Sequence, residues 1–244
     1  MPAPTPPLIG TAGWTIPRSV AARFSEEGSS LERYAAHFRC AEINSSFHRS
    51  HKPGTWARWA ESVPEDFRFA AKLSKAITHG AKLAECGALL ADAIAEMRLL
   101  GPKLAVVLVQ LPPSLAFDAA LAEGFYAALR GLWDGAVACE PRHPSWLDPA
   151  AEALLRAWRV ARVAADPSKA PGLAAPGGWD GLVYYRLHGS PIVYRSAYGE
   201  TRLRAYADSL RTHAAEGREC WCIFDNTASS AALEDALILE RLLE

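Results

Sequence analysis

LAVVLVQLPPSLAFDAALAEGFYAALRGLWDGAVACEPR, residues 104–142, decides how the chain is read. LAVVLVQL (104–111) is a continuous apolar run of strand length that stops at Pro112-Pro113. DAALAEGFYAALRGLW (118–133) spaces its apolar residues helically, and AVACEPR (136–142) returns to a short buried-strand pattern. Strand, helix and strand in that order form the unit from which parallel sheets are built.

The alternation continues in both directions. Further strands are expected at LIGTAGW (8–14), CAEINS (40–45), FRFAAKL (67–73), VARVAAD (160–166), LVYYRLHG (182–189) and CWCIFDN (220–226), which makes eight. Helical spacing marks LERYAAHF (31–38), TWARWAESV (55–63), ECGALLADAIAEMRLLG (85–101, with Gly101 as C-cap), PAAEALLRAWR (149–159), RLRAYADSLRTHAAEG (202–217) and SAALEDALILERLL (230–243). Only the sixth connection, DPSKAPGLAAPGGWDG (166–181), lacks a helix signal. The expected fold is α/β: one domain over residues 1–244, built as a (β/α)8 TIM-like barrel open to distortion, with an irregular sixth connection and a flexible tail at 1–7. A doubly wound sheet is the alternative.

Composition sets the outer bounds. The 244 residues are 50% apolar and 22% charged, enough for a sizeable core. Lys and Arg number 26 against 27 Asp and Glu, and this near-balance disfavours nucleic acid as a partner. The five cysteines (Cys40, Cys86, Cys139, Cys220, Cys222) form no CxxC pair and read as buried thiols of a reducing cytoplasm. MPAPTPPLIG has no secretory pattern, and no apolar run reaches bilayer length, so no membrane is expected.

Each strand begins apolar and ends polar. The ends carry Gly13-Trp14, Glu42 and Asn44, Lys72 with Thr78-His79 beyond it, Gln110, Glu140 with Arg142 and His143, Asp166, Arg186 with His188, and Asp225-Asn226. Arg186 and His188 lie two apart and so share one face of their strand. In a parallel barrel all these ends share one mouth, where active sites of that architecture lie. Ion pairs among the charges, Glu140 with Arg186 or Arg142 with Asp166, would instead make them a structural frame.

The residue types point to an anionic ligand bearing phosphate or carboxylate. Lys72, Arg142 and Arg186 would clamp it, with Asn44, Gln110, His143 and Asp166 as further contacts. Glu42, Glu140, His79, His188 and Asp225 are the candidates for acid–base work. Trp14 and Trp146, just past strand ends, offer aromatic walls. His79, Glu140, His143, His188 and Asp225 are the right types for a divalent metal, but none has a diagnostic spacing, so no cofactor is assigned. Dinucleotide, P-loop and nucleophile-elbow motifs are absent from the sequence. His48 and His51 read as surface residues of a Ser-rich loop, His37 and His213 as exposed helical positions, and Trp56, Trp59, Trp133 and Trp158 as packing residues.

IGTAGW, AEINSSFHR, FRFAAKLSKAITH, VLVQLPPSL, CEPRHPSW, YYRLHG, AYGE and FDNTASSAALEDAL resemble, in that order, the serial motifs of the YecE-like family. The resemblance runs from Ile9 to Leu239 and implies a TIM-like barrel with the motifs at its mouth. Its polar motif residues include Thr78, Asn226 and, beyond the strand ends, Tyr198, and it brings no established reaction. The chain departs from the pattern at His48, where Tyr is common, and at Asp225, where Asn is common. The expected activity is that of a hydrolase, isomerase or lyase on a small anion. A metabolite-binding sensor and a metal-dependent, phosphodiester-processing enzyme are the alternatives.

Overall fold

The computed structural model describes residues 5–244. Of the expected tail, residues 1–4 lie outside the described residues, while Thr5 and Pro6 are exposed and irregular. The strands are β1 (Leu8–Thr11), β2 (Cys40–Ile43), β3 (Arg68–Lys72), β4 (Leu104–Gln110), β5 (Ala136–Glu140), β6 (Val160–Arg162), β7 (Ala164–Asp166), β8 (Gly177–Gly178), β9 (Leu182–Leu187) and β10 (Glu219–Phe224). They form one sheet in the order β1-β10-β9-β7 and another in the order β2-β3-β4-β5-β6-β8. Every ladder is parallel except that of the two-residue β8 on β6.

The two sheets meet at two places. An isolated parallel bridge joins Ala12 to Glu42, and Gly13 N donates to the Glu42 carbonyl at 2.8 Å. β6 and β7 are one expected strand interrupted at Val163, so the chain passes from one sheet to the other there. Gly10 permits the close approach of β1 and β2: a Cβ at this position would lie 2.5 Å from the Cys40 carbonyl oxygen.

The helices are α1 (Ser30–Ala35), α2 (Pro53–Glu61), α3 (Gly87–Met97), α4 (Ala119–Leu132), α5 (Pro149–Ala157), α6 (Glu200–Ala215) and α7 (Ala232–Leu243). Local chemistry starts several of them. Ser29 and Glu32 form a capping box on α1, and the Asp118 and Asp148 side chains cap α4 and α5. α3 ends four residues before the expected Gly101 cap, because a 3-10 segment (Arg98–Lys103) intervenes before Gly101 turns at φ 59°. The sixth connection is irregular as read, holding a short 3-10 turn (Pro171–Ala174) and β8. Apart from β7, which ends at Asp166 as expected, the ladders stop one to three residues before the expected strand ends, where hydrogen bonding passes to loops and side chains.

Alternation along the strands separates two cores. One lies between strands and helices, with Ile43, Phe69, Val107, Val109, Val137, Tyr185 and Phe224 meeting Trp56, Leu90, Phe125, Leu155, Leu203 and Leu239. The other uses the opposite strand faces: Cys40, Ala70, Val106, Leu108, Ala138, Ala161, Tyr184, Trp221 and Ile223. Trp56 is buried, and Trp59, Trp133 and Trp158 pack against the first core. All five cysteines are buried and unbridged. Among the described residues no helix is long and apolar enough to cross a membrane.

Candidate functional site

Adding two residues to the last second-core member on each of six strands gives the site. Cys40 leads to Glu42, Ala70 to Lys72, Leu108 to Gln110, Ala138 to Glu140, Tyr184 to Arg186 and then His188, and Ile223 to Asp225. All seven polar side chains are buried. The period-two pleat therefore stacks a polar layer directly on an apolar one, at the carboxyl ends of the strands.

Arg186, with no exposed surface, is the centre of that layer. Its Nε and Nη2 donate to Glu42 Oε2 and Oε1 at 2.9 and 2.6 Å, a bidentate pair. Nη1 donates to Glu140 Oε2 at 2.5 Å, and Nη2 also reaches Asp225 Oδ2 at 3.0 Å. His188 bridges two of the same carboxylates, Nδ1 lying 3.1 Å from Asp225 Oδ2 and Nε2 3.0 Å from Glu140 Oε1. Gln110 Nε2 at 2.9 Å and Arg142 Nη2 at 3.2 Å complete the donors on Glu140, and Tyr184 OH donates to Glu42 at 3.1 Å. Asn44 Nδ2 stands 3.5 Å from Asp225 Oδ1, at the edge of hydrogen-bond reach.

The electrostatics follow from these contacts. Burial alone would raise the Glu140 carboxyl, but Arg186, His188 and Arg142 outweigh it and hold the group well below the usual carboxylate range. Asp225 is lowered against the same burial, chiefly by Arg186 and His188. Burial would likewise discharge His188, yet Glu140 and Asp225 raise it above its ordinary value. With a carboxylate at each ring nitrogen, the contacts favour the imidazolium, the form in which both nitrogens donate.

Lys72 behaves differently. It is 4% exposed and, among the described residues, its Nζ makes no hydrogen bond or ion pair; it rests 4.1 Å from the Phe47 ring centroid. Burial, then repulsion from Arg186, lowers it to about 8 despite Glu42, Glu140 and Asp225 beyond. His79, half-buried, packs edge-on against the same Phe47 ring at 5.1 Å and holds Thr78 Oγ1 at 2.9 Å through Nδ1. Burial, Lys72 and Arg142 lower His79, which is neutral at physiological pH.

The remaining expected residues serve other ends. Of the two ion pairs weighed from sequence, Glu140–Arg186 forms; Arg142 pairs with Glu140, and Asp166 with Arg202 at 2.7 Å. Arg186 itself is taken up by three carboxylates, so it orders the layer and presents no free donor fork to a clamp. His143 caps the 3-10 turn Pro144–Leu147 by accepting from Ser145 N. Trp146 is no wall: it is buried, stacks edge-on with Phe117 and donates to the Leu115 carbonyl at 3.1 Å. Trp14 also turns away from the layer, against Trp59 and Phe69 in the outer core. Tyr198 OH links Gly189 N to the Asp166 carbonyl, both at 2.9 Å, and Asn226 ties Ser196 to Asp235, so these two brace the loop after β9. His51, expected at the surface, is half-buried between Trp56 and Trp59 and bonds Ser45, whereas His48 and His37 are exposed as read and His213 is half-buried.

Beside the layer opens a cavity of about 380 Å³ lined by Glu140, Arg142, Ser168, Lys169, His188 and Tyr194, among others. Tyr194 packs edge-on over His188 at 5.8 Å. Lys169, Ser168 and Tyr194 escaped the sequence reading because their loops carry no periodic signal. Tyr184 and Phe47 could have been found: Tyr184 is two residues from Arg186 on the same face, and Phe47 adjoins the Asn44-Ser45 strand end. Among the described residues no group of three or more His, Cys, Asp or Glu side chains is placed to hold a metal ion. Where Glu42, Glu140 and Asp225 converge, the guanidinium of Arg186 stands in the position a cation would need.

A family described as Protein of unknown function DUF72 matches residues 8–244. The UPF0759 protein YecE of Escherichia coli (strain K12) is 36% identical over 104 residues, 43% of this chain and 37% of that relative, so the match spans little more than a third of its length. A DUF72 family protein from Enterococcus faecalis V583 is similar in structure with a TM-score of 0.82 at 19% identity, covering 97% of this chain and 94% of the other. One from Thermotoga maritima MSB8 gives 0.81 at 22% identity, covering 98% and 99%. At these identities the structural likenesses speak for the fold. The chain belongs to the DUF72 family.

Proposed function

We propose that this DUF72 chain is a single barrel-like domain whose mouth is the active site of an enzyme for a small anionic molecule. Three features support the barrel. The Ala12–Glu42 bridge links the open edges β1 and β2, β6 runs on into β7, and the second core draws residues from strands of both sheets. Such a domain would place the carboxyl ends of its strands around one opening, the usual seat of chemistry in this architecture.

The cavity carries the functional reading. Its floor is the Glu140–His188 pair and its walls carry Arg142, Lys169 and Ser168, a positive rim over a fixed charge network. Arg142 keeps a quarter of its side chain exposed while it holds Glu140, so its remaining donors can meet a phosphate or carboxylate. His188, charged and wedged between two carboxylates, acts as general acid at the cavity floor. Glu140, bound by Arg186, His188, Arg142 and Gln110, is too poor a base and serves to hold His188 in place. His79 stays neutral beside Phe47, outside the cavity lining.

The test is a thermal-shift and calorimetric screen of phosphate- and carboxylate-bearing small molecules against wild type, Arg142→Ala and Lys169→Ala. At least one anion should raise Tm of the wild type and bind Arg142→Ala about tenfold or more weakly, equal to about 1.4 kcal/mol. If no anion shifts the wild type, or the shift survives in both variants, the reading fails. Binding without conversion of any bound anion would favour a sensor over an enzyme.

A further inference from the structure

The six lysines of the chain are Lys52, Lys72, Lys75, Lys82, Lys103 and Lys169. Burial alone does not distinguish Lys72 from the others, since Lys103 is also part-buried. Lys103, however, gives its Nζ to the carbonyls of Ala60 and Val63, at 2.5 and 2.6 Å. Among the described residues Lys72 Nζ has no such partner, and it rests over the face of Phe47 at 4.1 Å. An ammonium on a largely buried side chain with no protein acceptor is costly, and the amine form is the one such a setting favours.

The setting also adjoins the charge network. Lys72 stands at the carboxyl end of β3, in one layer with Arg186, Glu42, Glu140 and Asp225, and shares the Phe47 ring with the neutral imidazole of His79. Arg186 is the near cation that opposes a charge on Lys72, and the three carboxylates that would favour it are engaged by Arg186. Apolar burial beside a second cation is the environment in which lysines become nucleophiles.

We propose that Lys72 is a covalent catalytic residue that forms an imine with the carbonyl carbon of an aldehyde or 2-oxo acid. The inference deepens the anionic-ligand reading and rests on it for the charge of the substrate. The step balances without any outside reagent. Lys72, starting as the ammonium, gives a proton to His79. The freed lone pair adds to the carbonyl carbon, and the carbon–oxygen π pair moves to oxygen. After a proton passes from nitrogen to that oxygen, the carbinolamine expels the hydroxyl, which leaves as water with the proton held on His79. The products are the protonated imine and water, and the net charge of the protein and substrate is unchanged.

The experiment uses the full chain with glyoxylate and, separately, uncharged acetaldehyde, each in the presence of sodium cyanoborohydride, followed by peptide mass spectrometry. Because Lys72 is lowered to about 8, it holds about a hundredfold more free amine at pH 8 than an ordinary lysine. The expected result is alkylation at Lys72 at least tenfold above Lys52, Lys75, Lys82, Lys103 and Lys169, with a pH midpoint near 8. The Lys72→Met variant, its fold checked by circular dichroism, should lose that adduct and keep the others. Equal labelling of all lysines, or none at Lys72, overturns the imine. If anions still stabilise the protein in that case, only this inference falls and the binding reading stands. If acetaldehyde labels Lys72 as well as glyoxylate does and no anion stabilises the protein, the imine stands and the anionic substrate falls.

Discussion

Along one face of β9, Leu182 and Tyr184 sit in an apolar column, and Arg186 and His188 sit in a web of charge. Both halves are buried, yet they hold together by different physics. The lower half gains from removing apolar surface from water and packs Tyr184 on Trp221 at 5.8 Å. The upper half buries Glu42, Glu140, Asp225, Arg186 and His188, each ion costing several kcal/mol of solvation that only the others return. Hydrophobic residues in those places would be simpler to stabilise. A network that is expensive and fully cross-linked belongs where chemistry needs fixed charges, and the cavity at Glu140 and His188 lies on it.

The largest expected effect separates the halves directly. Arg186→Met leaves three carboxylates without their shared cation and should cost about 3–5 kcal/mol in urea denaturation, with Arg186→Lys rescuing little because it lacks the planar fork. A cost under about 1 kcal/mol would mean that water, not Arg186, compensates the carboxylates. Leu108→Ala, in the column below, should cost about 2–5 kcal/mol by cavity formation and, unlike Arg186→Met, should do so equally at pH 5 and pH 8.

Lys72→Met should do the reverse of both and stabilise the protein, by about 2–3 kcal/mol at pH 7. The folded chain holds Lys72 near 8, against 10.5 for a free lysine, so between those pH values the unfolded chain binds more protons. Wild-type stability therefore climbs from pH 8 to 10.5, and Lys72→Met should show no climb. A flat wild-type profile would place Lys72 among ordinary charged lysines.

His188 runs the other way. Its pKa is raised in the fold, so its contribution is complete below the unfolded value of about 6.5 and drains as pH rises through the folded value. The difference between wild type and His188→Gln, followed by chemical denaturation from pH 6 to 9, should shrink with rising pH. A difference that does not vary would mean the ring is neutral. The smallest effect belongs outside both halves: Glu200→Gln breaks the exposed pair with Arg204 and should change stability by no more than about 0.5 kcal/mol.

Most of the polar layer was legible because it obeys a rule of period two. Once Val106 and Leu108 face one way, Gln110 must follow, and the same count delivers Glu42, Lys72, Glu140, Arg186, His188 and Asp225. The rule runs one residue past the ladder, to His188 and Asp225, and stops there. Trp14, His143, Trp146, Tyr198 and Asn226 lie past the strand ends, and their directions are set by loops that no local pattern encodes. Trp146 turned under its loop because its indole N–H found the Leu115 carbonyl there. Lys169 and Tyr194 reached the cavity from the two least regular segments of the chain.

Alone, the sequence determined eight strand regions, the seven helices and the face on which each polar strand residue lies, since alternation and helical spacing are local properties of the chain; the break of the sixth region into β6 and β7 and the short β8 were not among them. Pairing was decided only by tertiary structure. Glu42 and Arg186 are 144 residues apart, and whether a charge faces a ligand or another charge depends on which strands curve together. Coulomb attraction falls with distance in a way no sequence spacing records, so the fold alone could make Arg186 a keystone and leave Lys72 without a hydrogen-bond partner among the described residues.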